Sequence, residues 1–265
     1  MSSDVNLSSV TKSEWIKFRS VRSTTMGVIV TFVLTVGLGA LIAVAVRSHY
    51  SQMDPLRRLT FDPVSTSLGG TIFAQFAVGV IGTLFITSEY SSGSIRSSLA
   101  AVPRRVQFTL GKLIVLFISL LIVGEVACFL TFQMGQAIFS GVVPTASLAT
   151  PAVLRSVLFA GLYLTLLGIF GFSLGLILRS SATSISVFVS LLLILPIVLL
   201  LLPSSWQNDV SKYMPSALGQ SMMSPSTSAN SFGAWTALVI LIIYVVVAYG
   251  AGVSLLLRRD AGAGQ

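Results

Sequence analysis

Apolar residues gather into six long runs along the chain: Met26–Val46, Leu68–Thr87, Leu110–Phe132, Val153–Leu178, Ile185–Leu202 and Ala234–Leu257. Each is long enough for a hydrocarbon core of about 30 Å at about 1.5 Å per residue. Backbone N–H and C=O groups find no partners in lipid, so runs of this length are expected as helices. Transmembrane strands are about half as long and alternate in polarity. The first run is too long for a secretory signal, and its polar lead is long as well, so it reads as a permanent span. The pattern predicts an all-α integral membrane protein with six transmembrane helices.

The segments between the runs add detail. Thr11 and Glu14 fit a capping box, and Val10 and Trp15 fit a hydrophobic staple, so a helix is expected over "KSEWIKFRSVRS". Its faces do not separate cleanly, but long basic side chains snorkel, which suits a helix in the headgroup layer. A positive flank that only sets topology is the alternative. The loop from Arg47 to Ser67 is polar; Asp54, Arg57, Arg58 and Asp62 either pair there or are simply solvated. The segment from Pro203 to Gly233 is long for a connector. Trp206, Tyr213, Met214, Met222 and Met223 suggest that part of it lies against the membrane or dips in. Pro196 is expected to kink the fifth run unless that span ends early. The whole chain reads as one transmembrane domain over 1–265, with an interfacial helix in 1–25, six spans in 26–257 and a tail in 258–265.

Composition agrees. Of the 265 residues 54% are hydrophobic and 9% charged, with a mean hydropathy of +0.92, against roughly 25% charged in a soluble domain. The net charge of +8 is read through the membrane rather than as a nucleic-acid signal, because Lys and Arg bias which loops stay cytoplasmic. Eleven basic residues fall on the side of the termini and five on the other. Both termini are therefore expected in the cytoplasm, and the stretch "EYSSGSIRSSLAAVPRRVQFTLGK", Glu89–Lys112, becomes the largest cytoplasmic loop between spans.

Candidate chemistry is sparse. A single Cys, Cys128, excludes an internal disulfide, and a single His, His49, excludes a histidine metal cluster within one chain. "GFSLG", Gly171–Gly175, matches a nucleophile elbow, but it lies inside an apolar helix and Ser173 has no base. Gly171 and Gly175, with Gly168 one turn earlier, read instead as small-residue helix packing. No phosphate-binding G-x-x-x-x-G-K-[ST] loop occurs, so ATP is not expected on this chain by that route. Glu125 sits near the middle of the third run, where a charge costs at least about 2.5 kcal/mol. It reads either as a substrate or proton site or as a protonated carboxyl bonded to a neighbouring helix. Gln75 and Gln133 raise the same question more weakly as members of a translocation path.

Four stretches together resemble the ABC type-2 transporter permeases, in particular short bacterial six-span members that work with a separate ATPase. "SEWIKFRSVRST" is similar to the family's entry helix, "LGLILRSSATSIS" to its short inner loop, and "KYMPSALGQSMM" to its external re-entrant segment. The most specific resemblance is the Glu89–Lys112 stretch: an acid–aromatic pair at Glu89 and Tyr90, Gly93, Ile95-Arg96, a short apolar piece, and a basic turn at Pro103, Arg104 and Arg105. The resemblance implies that this loop is the coupling helix that docks on the ATPase. Ile95, Leu99 and Val102 fall at i, i+4 and i+7, one apolar stripe for a partner groove. Arg104 and Arg105 are placed for acidic groups or lipid phosphates, and Glu89 for a basic residue of the entry helix.

The resulting expectation is a non-enzymatic permease subunit of an ATP-driven exporter in the bacterial cytoplasmic membrane, with drugs or peptides as cargo classes. It would carry no cofactor or metal of its own; ATP and Mg would sit on an ABC ATPase pair. The permease would act as a homodimer or as a heterodimer with a related chain, in lipid and without nucleic acid. A membrane immunity or scaffold protein of the same fold, binding a toxin or lipid without transport, is the alternative.

Overall fold

The structure, a computed structural model, describes residues 6–102, 104–201, 203, 207, 209–227 and 230–258. Pro103, Trp206 and the tail beyond Arg258 lie outside them. Among the described residues there is no strand. Six helices are long and apolar enough to cross a membrane: Arg22–Gln52, Thr71–Ser91, Arg105–Phe139, Pro151–Leu178, Ser181–Leu199 and Ala234–Arg258, the first to sixth spans. The third is 35 residues long and starts five residues before its apolar run. At about 1.5 Å per residue it outreaches the hydrocarbon core. Nothing between Arg105 and Leu110 breaks a helix, so the apolar run marks only the part suited to lipid.

The fourth span is the centre of the bundle and is buried along most of its length. It packs against the second, third and sixth spans. Glycines set the closest crossings. A Cβ on Gly82 would collide with the Gly168 carbonyl, and one on Gly171 with the Gly79 carbonyl, so the second and fourth spans touch backbone to backbone. Gly175 faces Ile86 and Thr87 on the same helix. Gly168, Gly171 and Gly175 thus line the contact with the second span, where dispersion contacts and small residues replace a hydrophobic driving force.

Two spans carry a π-helical turn. In the first, Leu34–Leu38 widens where Gly39 meets the third span. There the Thr131 hydroxyl is shared between Thr35 O, at 3.1 Å, and Ser67 O, at 3.3 Å. In the fifth, Ser190–Ile194 directly precedes the turn holding Pro196. Proline cannot donate to the carbonyl four residues back and its ring crowds it, so the widened turn absorbs the misfit. The helix then ends at Leu199, three residues short of the apolar run.

The loop between the first and second spans is ordered by capping, with no ion pair among its described residues. Asp54 and Asp62 each accept a backbone N–H two residues on, at 2.9 Å, and start short helices with Pro55 and Pro63 at the first position. Arg58 donates to Met53 O and Ser51 O instead of pairing with an acid. The long segment after the fifth span forms a helix, Pro215–Met223, that folds back into the bundle. Its Gly219 packs on the ring of Tyr163, the thirteenth residue of the fourth span, about 18 Å along that helix. Tyr163 in turn donates to Gln75 Oε1 at 2.6 Å.

Arginines finish three helix ends. Arg47 donates to Ile138 O at 2.6 Å, Arg105 to Leu256 O at 2.6 Å, and Arg155 to Ser224 O at 3.0 Å. Ile138 lies in the last turn of the third span, Leu256 near the end of the described part of the sixth, and Ser224 caps the helix before it, positions where carbonyls run out of intrahelical donors.

Candidate functional site

The N-terminal helix spans Leu7–Ser20 with Asn6 as its N-cap. This corrects the expected capping box. Thr11 sits a turn inside the helix, where its hydroxyl donates to Leu7 O at 2.9 Å. Val10 is buried against Gly111 of the third span, while Trp15 stacks beside Phe18. Glu14 is turned inward, 3% exposed.

Glu14 is one corner of a four-charge cluster that is buried except at Lys17. Lys112, whose side chain is 2% exposed, lies 2.7 Å from Glu14 Oε2 and 2.7 Å from Glu89 Oε1. Its ammonium also sits 4.4 Å from the centre of the Phe85 ring, a cation–π contact. Lys17 closes the cluster, 2.9 Å from Glu14 Oε1 and 3.3 Å from Glu89 Oε1. The cluster is neutral as a whole, which is how charges survive burial. Burial works against the Lys17 ammonium, but the Glu14 and Glu89 carboxylates outweigh it and hold its pKa above the ordinary lysine value. The cluster joins three elements: the N-terminal helix, the end of the second span and the start of the third.

Between those last two lies the candidate site. Gly93 turns the chain with φ +73, a conformation that favours glycine, and a short helix follows over Ile95–Ala101. Its apolar stripe does not face outward as expected. Ile95 is 3% exposed and belongs to the chain's own core, and Leu99 and Val102 pack on that core half-buried. What the loop presents outward is Arg96, Ser97, Ala100, Ala101 and Arg104.

The flanks of the loop are also tied to the fourth, fifth and sixth spans. Arg179, which ends the fourth span in the left-handed region with φ 56, lies 5.4 Å from the Tyr90 ring. Thr87 and Ser181 hydroxyls meet at 2.7 Å, linking the second span to the start of the fifth. Arg105 caps the sixth span, and Tyr249 of that span donates to Thr109 at 3.0 Å. The sequence assigns Glu14 only to a capping box, and Arg179 and Lys112 only to the count of basic residues on the side of the termini. The available signal was a charge embedded in an apolar stretch, which demands a partner.

The expected path residues scatter. Gln75 is buried and spent on Tyr163. Gln133 is exposed on the third span. Glu125 is half-buried against the fourth span, where a Cβ on Gly161 would come 2.6 Å from its Cδ. It accepts no hydrogen bond among the described residues, so the expected bond to a neighbouring helix is not formed. Among the described residues no cluster of His, Cys, Asp and Glu is arranged to hold a metal.

The profile of the ABC-2 family transporter proteins matches residues 10–196. The match runs from the N-terminal helix through the loop to the turn at Pro196 in the fifth span. Comparison with curated proteins gives no match. With six apolar spans and a family match across most of its length, this multi-pass membrane protein belongs to the ABC-2 transporter family.

Proposed function

We propose that the chain is the permease subunit of an ATP-driven exporter and that the Glu89–Lys112 loop couples it to a separate ATPase. One observation carries this reading: the loop's flanks are bonded to the N-terminal helix and to the fourth, fifth and sixth spans, while its cationic outer face remains exposed. A partner that moves the loop helix would thereby move the bundle. Arg96 and Arg104, with Ala100 and Ala101 between them, suit an acidic partner surface with room for close approach. ATP and Mg belong to that partner, and both termini face it from the cytoplasm.

The test is co-purification with a candidate ATPase and its stimulated hydrolysis in proteoliposomes. Arg96→Glu with Arg104→Glu is expected to reduce ATPase recovery at least tenfold while leaving the permease folded and in the membrane. Ile95→Asp is expected to act differently. It places a charge in the chain's own core and lowers the yield of folded permease. Unchanged ATPase recovery and unchanged hydrolysis in the double-glutamate variant would overturn the coupling role.

A further inference from the structure

A second surface lies on the opposite flank of the N-terminal helix. Between this helix and the outer side of the third span runs an open groove of about 640 Å³. Its floor is Ile114, Val115 and Ile118, and Trp15 forms one wall. Its rim is polar, with Ser8 and Lys12 exposed to solvent and no acid among the lining residues. Lys12 differs from the other lysines of this region. Lys17 and Lys112 are consumed by Glu14 and Glu89, whereas Lys12 makes no ion pair among the described residues.

Depth along the third span identifies the occupant. The apolar run of that helix begins at Leu110. Ile114 and Ile118 lie about 6 and 12 Å further along it, so the floor is at acyl-chain level. Ile118 is exposed on that floor, and Trp15 is 38% exposed beside it, the placement an indole takes at a membrane interface. Lys12 stands at the polar end, where its stem lies along apolar surface and its ammonium reaches the headgroup layer. A second protein would have to bring an anionic group and an apolar ridge to a groove that already faces lipid, whereas one phospholipid supplies both at the right separation.

We infer that this groove is a binding site for an anionic glycerophospholipid, with the phosphate at Lys12 and Ser8 and one acyl chain over Ile114 and Ile118 against Trp15. The site does not depend on the coupling role of the loop. The lipid would hold the N-terminal helix to the third span from the side opposite the four-charge cluster.

Trp15 is its own reporter. Trp206→Phe and Trp235→Phe leave it as the sole indole, since the chain has three tryptophans. The protein is reconstituted in phosphatidylcholine vesicles that carry a minor fraction of either phosphatidylglycerol or phosphatidylcholine with brominated acyl chains, which quench tryptophan. The ratio of the two quenching efficiencies is the readout, so protein yield cancels. A single lysine near an anionic headgroup supports about a fivefold preference for phosphatidylglycerol. Lys12→Gln is expected to bring the ratio to unity, and Arg22→Gln, an exposed cation that does not line the groove, to leave it unchanged. Equal quenching by both lipids in the parent would mean ordinary boundary lipid and would overturn the inference. So would a ratio insensitive to Lys12→Gln, or one lowered as much by Arg22→Gln. Absence of quenching by either lipid would mean that protein covers the groove, which also overturns it.

Discussion

Removing Lys112 tests the charge cluster most directly. Its ammonium touches two carboxylates at 2.7 Å each, and its side chain is 2% exposed. Lys112→Met keeps most of the apolar stem but leaves Glu14 and Glu89 facing each other with only Lys17 between them. Breaking a buried pair by deleting one partner costs about 3–5 kcal/mol, because the remaining charge is desolvated and uncompensated. That corresponds to a fall in the folding constant of roughly a hundredfold to several thousandfold. Lys17→Met removes the other cation, but Lys17 is 42% exposed, and exposed pairs contribute about 0–1 kcal/mol. The two substitutions delete the same charge from the same cluster, so the difference between them isolates burial.

The measurement is equilibrium unfolding in mixed detergent–dodecyl sulfate micelles, followed by tryptophan fluorescence. Lys112→Met is expected to lower the midpoint far more than Lys17→Met. The pair Glu14→Gln with Lys112→Met restores charge balance around Glu89 and Lys17. It is expected to cost less than Lys112→Met alone, a non-additivity diagnostic of direct contact. Equal costs for the two lysine variants, or strict additivity of the pair, would refute the cluster as described.

Three further outcomes are expected. The Lys17 pKa is raised in the folded protein above its ordinary 10.5, so, while its carboxylate partners are ionised, the Lys17 contribution is fully present below about pH 10.5 and fades as pH rises through the folded value; the stability gap between the parent and Lys17→Met should be flat from neutral pH to about pH 10.5 and shrink above it. Tyr163→Phe removes the donor to buried Gln75 and is expected to cost about 1–3 kcal/mol in the same unfolding assay, while Gln75→Leu in that background recovers part of it. Glu125→Gln loses no hydrogen bond or ion pair formed among the described residues, so it is expected to keep expression and most transport in a vesicle uptake assay; loss of transport with normal expression would place the carboxylate in the path.

The spans were legible because lipid imposes a one-dimensional test: a run is apolar for long enough or it is not. Helix ends were less legible, since the third span begins at Arg105 and carries Gln107 ahead of the apolar run that opens at Leu110. The Thr11–Glu14 spacing fits a capping box equally well when the acid serves a cation on another helix, and only the position of Lys112 decides between them. Tyr163 and Gln75 are 88 residues apart, and neither carries a local signal of the other. Pro196 was readable as a disturbance, but the π turn that accommodates it was not, because the sequence shows the missing donor and not how the backbone yields.

The stripe of Ile95, Leu99 and Val102 shows the limit most clearly. Spacing at i, i+4 and i+7 defines a face of a helix but not what covers it, and here the chain covers its own stripe. The inward orientation bears on mechanism. A seven-residue helix held only by its two connections would swing without moving the spans. Buried Ile95 makes it part of the core, and the charge cluster, the Arg179–Tyr90 contact and the Arg105 cap fix its flanks to the helices around it. Interiors are close-packed and yield little to compression, so displacement of the outer face by a partner would pass to the second and third spans rather than dissipate in the loop.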